Sequence, residues 1–159
     1  MVLLTRLSHF NTSCQNIFKV LLTYPCHTAP SFLHKTMKMR ITTTRLFGLA
    51  EISAEEVRAR LQQPDFFMYD NTPVSSYRRH HLPGATHLDP GDYSAADLAP
   101  DKNATLVFYC SDALCGAAPY AAKRARNMGF ENVYVMTVGV TVWLRKGYPV
   151  ESEIKSGAA

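Results

Sequence analysis

The segment Thr105-Leu106-Val107-Phe108-Tyr109 constrains the fold of this chain more than any other, because five β-prone residues follow one another without polar alternation. A strand with one wet face alternates apolar and polar positions, so an unbroken run is the pattern of a strand covered on both faces, as in a parallel sheet. The run leads directly into Cys110. After the loop Ser111, Asp112, Ala113, Leu114, Cys115 and Gly116, the stretch Ala117–Met128 has helical composition, and Gly129 stands where a left-handed C-terminal residue is wanted. Strand, cysteine loop and helix in this order set a thiol at the carboxyl edge of a strand, where parallel sheets bind their ligands.

The remaining pattern supports the same architecture. Ser53-Ala54-Glu55-Glu56 is a capping box that predicts a helix start, with Val57 and Leu61 on one face and Pro64-Asp65 as the stop. Phe66–Tyr69 reads as a buried strand that ends in the loop Asp70-Asn71-Thr72-Pro73. Val74–Arg79 predicts a short helix, Pro83-Gly84 a turn and Ala85–Leu88 a second strand. Between Asp89 and Lys102 the residues predict a surface excursion holding one helical turn. Asn132–Met136 reads as another strand and Val140–Lys146 as a short helix stopped by Gly147-Tyr148-Pro149. Strands separated by helices imply parallel pairing with helices on both faces.

Charge divides the chain. Residues 1–50 carry Arg6, Lys19, Lys35, Lys38, Arg40 and Arg45 and no acid, whereas the rest carries 11 basic and 13 acidic side chains and is close to neutral. A neutral body offers no nucleic-acid footprint beyond Arg78-Arg79 and Lys123–Arg126, which read as a loop and a solvated helix face. No apolar run is long enough to span a bilayer. Residues 1–45 are therefore read as a disordered extension or targeting segment, 46–152 as the domain and 153–159 as a flexible tail. The acid-free segment resembles a mitochondrial presequence, so a cytoplasmic location is expected with the mitochondrial matrix as alternative. Met37 and Met39 are further candidate starts.

Four cysteines, Cys14, Cys26, Cys110 and Cys115, make a disulfide framework conceivable, but two lie in the extension and a domain of this size folds on its own core. The spacing Cys-x4-Cys, without a second pair, is a poor zinc pattern. A cysteine between a buried strand and a helix gains from the partial positive charge of the helix N-terminus and from backbone N–H groups without partners, and both favour thiolate. The alternative is a small buried hydrophobe that ends a strand. Its place at the loop edge, with Cys115 five residues on, favours an exposed reactive sulfur.

Three segments carry a resemblance. DNTPVSSYRRHHLPGATHL places Asp70, Tyr77, His81, Pro83, Gly84 and Ala85 at the intervals of the first signature of rhodanese-like domains. FYCSDALCGAAPYAAKRARNMGFENVYVM resembles the second, and VGVTVWLRKGYPV, with Trp143, Gly147 and Pro149, the closing one. The resemblance covers about residues 48–151. It implies an α/β three-layer fold of about five parallel strands flanked by helices, and a sulfurtransferase in which Cys110 carries sulfane sulfur as a persulfide to a thiol or other nucleophile. Residues 111–116 would cup the anionic sulfur in backbone N–H groups. Neither metal nor organic cofactor is implied.

The spacing from Cys110 to Gly129 fits a subgroup with a Cys-x4-Cys loop. Ala118 stands where that subgroup often has serine, Thr72 where many members have arginine, and Val138 where a glycine usually precedes Gly139. Asp112, in a loop without Arg or Lys, argues against thiosulfate and for a persulfide or polysulfide donor, on a protein or small molecule. The loop also lacks the arginine clamp of a cysteine phosphatase. Cys115 reads either as a resolving thiol or as a first-turn packing residue. Asp70 and His81 are expected to support the site, by holding loop backbone and preceding the tight turn, while His80 and His87 show no role and Trp143 reads as core or rim. Rival readings are a non-catalytic interaction or regulatory module, and a thiol-disulfide or persulfide sensor that uses Cys110 with Cys115. A monomer or weak homodimer is expected, with no nucleic-acid or membrane partner.

Overall fold

The computed structural model describes residues 42–154. The extension through residue 41, with Cys14 and Cys26, and residues 155–159 lie outside the described part, so the targeting and tail expectations are not addressed there. The described structure begins with helix α1 (Thr43–Leu46), which crosses the boundary drawn between residues 45 and 46. The Thr42 hydroxyl caps it by accepting from the Arg45 N–H, and Leu49 behind it is buried.

The elements then follow as β1 (Ala50–Glu51), α2 (Ala54–Arg60), β2 (Phe66–Asp70), α3 (Val74–Arg79), β3 (Thr86–His87), a 3-10 turn (Ala95–Asp97), β4 (Thr105–Tyr109), α4 (Ala117–Asn127), β5 (Val133–Met136) and α5 (Gly139–Arg145). The five strands form one parallel sheet in the order β1-β5-β4-β2-β3. Strand β4 is central and all five of its residues are buried, as its unbroken apolar run requires. Strand β1 has no counterpart in the sequence reading. Two residues, both exposed, carry no periodicity, and pairing with β5 alone makes them a strand.

Two apolar layers sandwich the sheet. On one face Leu106, Phe108, Val133 and Val135 pack against Ala118, Ala121, Ala122 and Ala125 of α4, whose small side chains let the helix approach closely. On the other, Val107, Tyr109, Met68 and Met136 pack against Val57 of α2 and Trp143 of α5. Trp143 is fully buried and its indole N–H donates to the Pro149 carbonyl at 2.7 Å, tying the chain after α5 back to the core. Helix α2 starts at the expected capping box: Ser53 Oγ accepts from the Glu56 N–H, and the Glu56 carboxylate accepts from the Ser53 N–H. Beyond the expected domain end, Glu153 donates its N–H to the Arg78 carbonyl and pairs with the Arg78 guanidinium at 3.5 Å. Among the described residues no helix is long and apolar enough to cross a membrane.

Candidate active site

Parallel strands deliver their last residues to one edge, and here β2 and β4 end side by side, with Asp70 opposite Tyr109. The next residues, Asn71 and Cys110, therefore meet: the Cys110 sulfur lies 3.8 Å from the Asn71 carbonyl oxygen and 3.6 Å from Ser111 Oγ. Above them the loop folds back on itself. The Asp112 carboxylate accepts from the Leu114 N–H at 2.8 Å and its carbonyl accepts from the Cys115 N–H, so Asp112 braces the loop. The backbone N–H groups of Ser111, Asp112, Ala113 and Gly116 have no acceptor among the described residues, and α4 starts at Ala117 with its unpaired N–H groups toward the same loop.

Helix α5 holds the loop from below. The N–H groups of Val140 and Thr141 donate to the carbonyls of Cys110 and Ser111 at 2.9 and 3.0 Å. Gly139 makes this contact possible: with φ of 63°, a Cβ there would lie 2.5 Å from the Cys110 carbonyl oxygen and 2.6 Å from Asp112 N. Val138, where the sequence comparison expects glycine, has an ordinary φ of −72° and tolerates its side chain.

The expectation of an open thiol needs correction. Cys110 is 3% exposed, and its sulfur is bonded to that of Cys115 across a Cα–Cα distance of 6.3 Å. The loop turns back across the end of β4, and Cys115, two residues before α4 begins, is bonded to Cys110. Cys115, partly buried, also packs against the core. The pair is nonetheless at a cavity wall: Cys110, Ser111, Cys115, Asn71, Thr72, His87 and Asp89 line a space of about 600 Å³. A second space of about 230 Å³ adjoins it through Thr72 and Ser111, and is lined also by Ser76, Arg79, His80, Val140 and Leu144.

Asp70 is fully buried, and its Oδ1 accepts from the Thr72 N–H at 2.7 Å, which fixes the β2 loop against the site. Burial, reinforced by the Asp70 carboxylate, pushes the Tyr109 phenol well above its ordinary range. Its hydroxyl accepts from the Leu82 N–H at 3.0 Å. His81 is buried away from the sulfur: Nδ1–H donates to the Tyr77 carbonyl at 2.7 Å, and the ring stacks on Tyr77 at 4.0 Å between centroids. Both Asp70 and His81 thus act on backbone and turn rather than on the sulfur. His87 was silent in the sequence, yet its Nε2–H donates to the Thr72 carbonyl at 2.9 Å while the residue lines the larger cavity. Arg79 and His80 were equally silent. Local sequence places them on a solvated helix end, and only the packing of α3 beside the cysteine loop brings them to the rim.

Comparison with known proteins agrees with this geometry: residues 53–146 match the rhodanese-like domain. The chain belongs to the rhodanese-like domain family. A curated relative, an HTH-type transcriptional regulator (Rv0324) of Mycobacterium tuberculosis, is 30% identical over 102 residues, which are 63% of this chain and 44% of the regulator. The chain thus spans less than half of that relative's length. Among solved structures, the Alr3790 protein of Anabaena sp. is 26% identical, with 65% of this chain and 81% of that one covered at a TM-score of 0.56. The polysulfide-sulfur transferase homodimer of Wolinella succinogenes shares the fold at 20% identity and a TM-score of 0.56, covering 72% of this chain and 88% of that one.

Proposed function

We propose that this rhodanese-like domain is a sulfurtransferase of the Cys-x4-Cys kind, carrying sulfane sulfur as a persulfide on Cys110 and passing it to a thiol acceptor. The observation that carries this reading is the position of Cys110. It follows the central strand at the wall of a cavity, beside a loop whose N–H groups at Ser111, Asp112, Ala113 and Gly116 have no acceptor among the described residues. Such a cup favours an anionic sulfur as an oxyanion hole favours oxygen.

The cycle starts from the reduced pair, which two thiols generate by giving up two electrons and two protons as they form their own disulfide. The Cys110 thiolate attacks the outer sulfur of a persulfide donor. A bond forms between the two sulfurs, the donor's S–S bond breaks, and the donor leaves as a thiolate. An acceptor thiolate then attacks the outer sulfur on Cys110, which leaves as thiolate again. Donor and acceptor are a small molecule or a protein, and the reading needs no cofactor, membrane or nucleic acid. It assumes a cytoplasmic or matrix environment in which thiols are reduced, and a monomer or weak dimer.

The Cys110–Cys115 bond specifically favours one second reading, a thiol-disulfide pair that senses persulfide or oxidant. Intact-mass measurement of reduced protein after polysulfide treatment separates the two. Gain of one sulfur, abolished in Cys110→Ser and kept in Cys115→Ser, is the expected result. Loss of two hydrogens without added sulfur supports the sensor, and no change at all supports a non-catalytic module. Sulfur uptake by Cys110→Ser at the wild-type rate refutes the assignment of the nucleophile.

A further inference from the structure

We infer that the bonded cysteine pair is itself a charging site for hydrosulfide, which opens the Cys110–Cys115 bond by attack on Cys115 and leaves a persulfide there. The inference extends the transferase reading, on which its last step rests, by naming a second sulfur source and a second sulfur-bearing residue.

The two sulfurs are unequal. Cys110 is 3% exposed and follows the buried end of β4, whereas Cys115 is only partly buried and lies in the loop before α4. In thiol–disulfide exchange the nucleophile takes the sulfur it can reach, and the better-stabilised thiolate leaves. Access therefore points to Cys115 as the sulfur attacked. Stabilisation points to Cys110 as the one released. Ser111 Oγ lies 3.6 Å from its sulfur and can turn its hydroxyl toward an anion, and the N–H groups of Ser111, Asp112 and Ala113 beside it have no acceptor among the described residues.

Two spaces reach the pair. Besides the cavity of about 600 Å³, both cysteines line a narrow recess that they share with the hydroxyl-bearing Thr43, Thr44 and Thr137. Its room, about 10 Å³, is that of a single water-sized molecule. A peptide thiol is too large for such a recess, whereas hydrosulfide has one heavy atom. Hydrosulfide is also the nucleophile whose attack on a disulfide yields a persulfide; a carbon-bound thiol yields a mixed disulfide.

The step balances with the protein's own bond as oxidant. The hydrosulfide sulfur bonds to Cys115 Sγ as the Cys110–Cys115 bond breaks, and Cys110 takes the electron pair as thiolate. The incoming sulfur is thereby oxidised to the sulfane level and the disulfide is reduced. The freed Cys110 thiolate then attacks the outer sulfur of the new persulfide. That bond forms, the bond to Cys115 breaks, and Cys115 leaves as thiolate with the sulfur now on Cys110. The pair holds a single S–S bond, so it takes up a single sulfur from hydrosulfide each time it is oxidised.

The test uses the full oxidised chain and sulfide freed of polysulfide, with air excluded. Samples are quenched in excess alkylating agent, cleaved before Asp112 to separate the two cysteines, and read by peptide mass. The expected result is gain of a single sulfur at this pair, on Cys115 in the first samples and on Cys110 in later ones. Cys110→Ser and Cys115→Ser cannot form the bond and should take none from hydrosulfide at this loop, and neither should wild type reduced beforehand. No uptake by oxidised wild type, sulfur on Cys110 in every sample and never on Cys115, or equal uptake by the variants overturns the inference. The transferase reading is decided separately, by whether the reduced wild type charges from polysulfide.

Discussion

Replacing Gly139 by alanine tests whether α5 sets the position of the sulfur. The added Cβ costs strain in two ways. At φ of 63° an L side chain is disfavoured by about 1–2 kcal/mol. It would also stand 2.5 Å from the Cys110 carbonyl oxygen and 2.6 Å from Asp112 N and Ser111 C, and overpacking of this kind costs about 1–3 kcal/mol. These atoms are backbone, so no side-chain rotation relieves the contact; the loop must shift, and the bonds from Val140 and Thr141 to it must lengthen. The expected loss is therefore about 2–5 kcal/mol in unfolding free energy. A displaced nucleophile should load sulfur roughly a hundredfold more slowly. Gly129→Ala is the control, because its φ is 89° but nothing lies within 4 Å of the added Cβ. It should lose only about 1–2 kcal/mol and load normally. Urea unfolding followed by circular dichroism, with loading rates by intact mass, reads both effects. If Gly139→Ala matched Gly129→Ala in stability and loaded sulfur at the wild-type rate, the proposed coupling between α5 and the cysteine loop would be wrong.

Two further outcomes concern the scaffold. Burial raises the phenols of Tyr69 and Tyr93 to about 12 from the ordinary 10.0. The folded state thus holds protons that the unfolded chain gives up, so this stabilisation is complete below pH about 10 and is lost as pH rises toward 12. Equilibrium unfolding across that window should show falling stability, with a shallower fall in Tyr93→Phe; a flat profile above pH 10 would contradict the assignment. Ser53→Ala removes the side-chain half of the α2 capping box and should cost about 1 kcal/mol in urea unfolding. A cost indistinguishable from zero would mean that packing of Val57 alone starts the helix.

The central part of the fold was legible because its signals are local. The unbroken run of β4, the capping box at Ser53, the helix Val74–Arg79 and the left-handed Gly129 each report a requirement met within a few residues, and the structure shows all four. Strand β1 was not legible, since its two residues become a strand only by pairing with β5. The same division runs through the site. Cys110 and its loop were found from a strand that ends in a thiol, whereas Arg79, His80, Asn71 and His87 reach the site by tertiary packing and leave no local pattern. The loop carries no Lys or Arg of its own, yet it adjoins a cavity lined by Arg79, a neighbour that tertiary packing alone supplies. The expected exposed sulfur failed on a similar point, because sequence spacing does not say whether the loop will carry Cys115 back onto Cys110.

The disulfide and the persulfide readings concern the same atom, and their chemistry makes them exclusive. A sulfur bonded to Cys115 has no thiolate lone pair with which to take up another sulfur, so the form seen here must be opened before transfer. Opening it also releases a second thiol beside the first. On the proposed chemistry that thiol has one competing reaction: attack on the inner sulfur of a Cys110 persulfide restores the Cys110–Cys115 bond and expels the outer sulfur as hydrosulfide, with no net oxidant. Transfer is then productive only if an acceptor held in the cavity reaches the outer sulfur before Cys115 reaches the inner one. Loss of Cys115 should accordingly lengthen the life of the charged protein without impairing its charging.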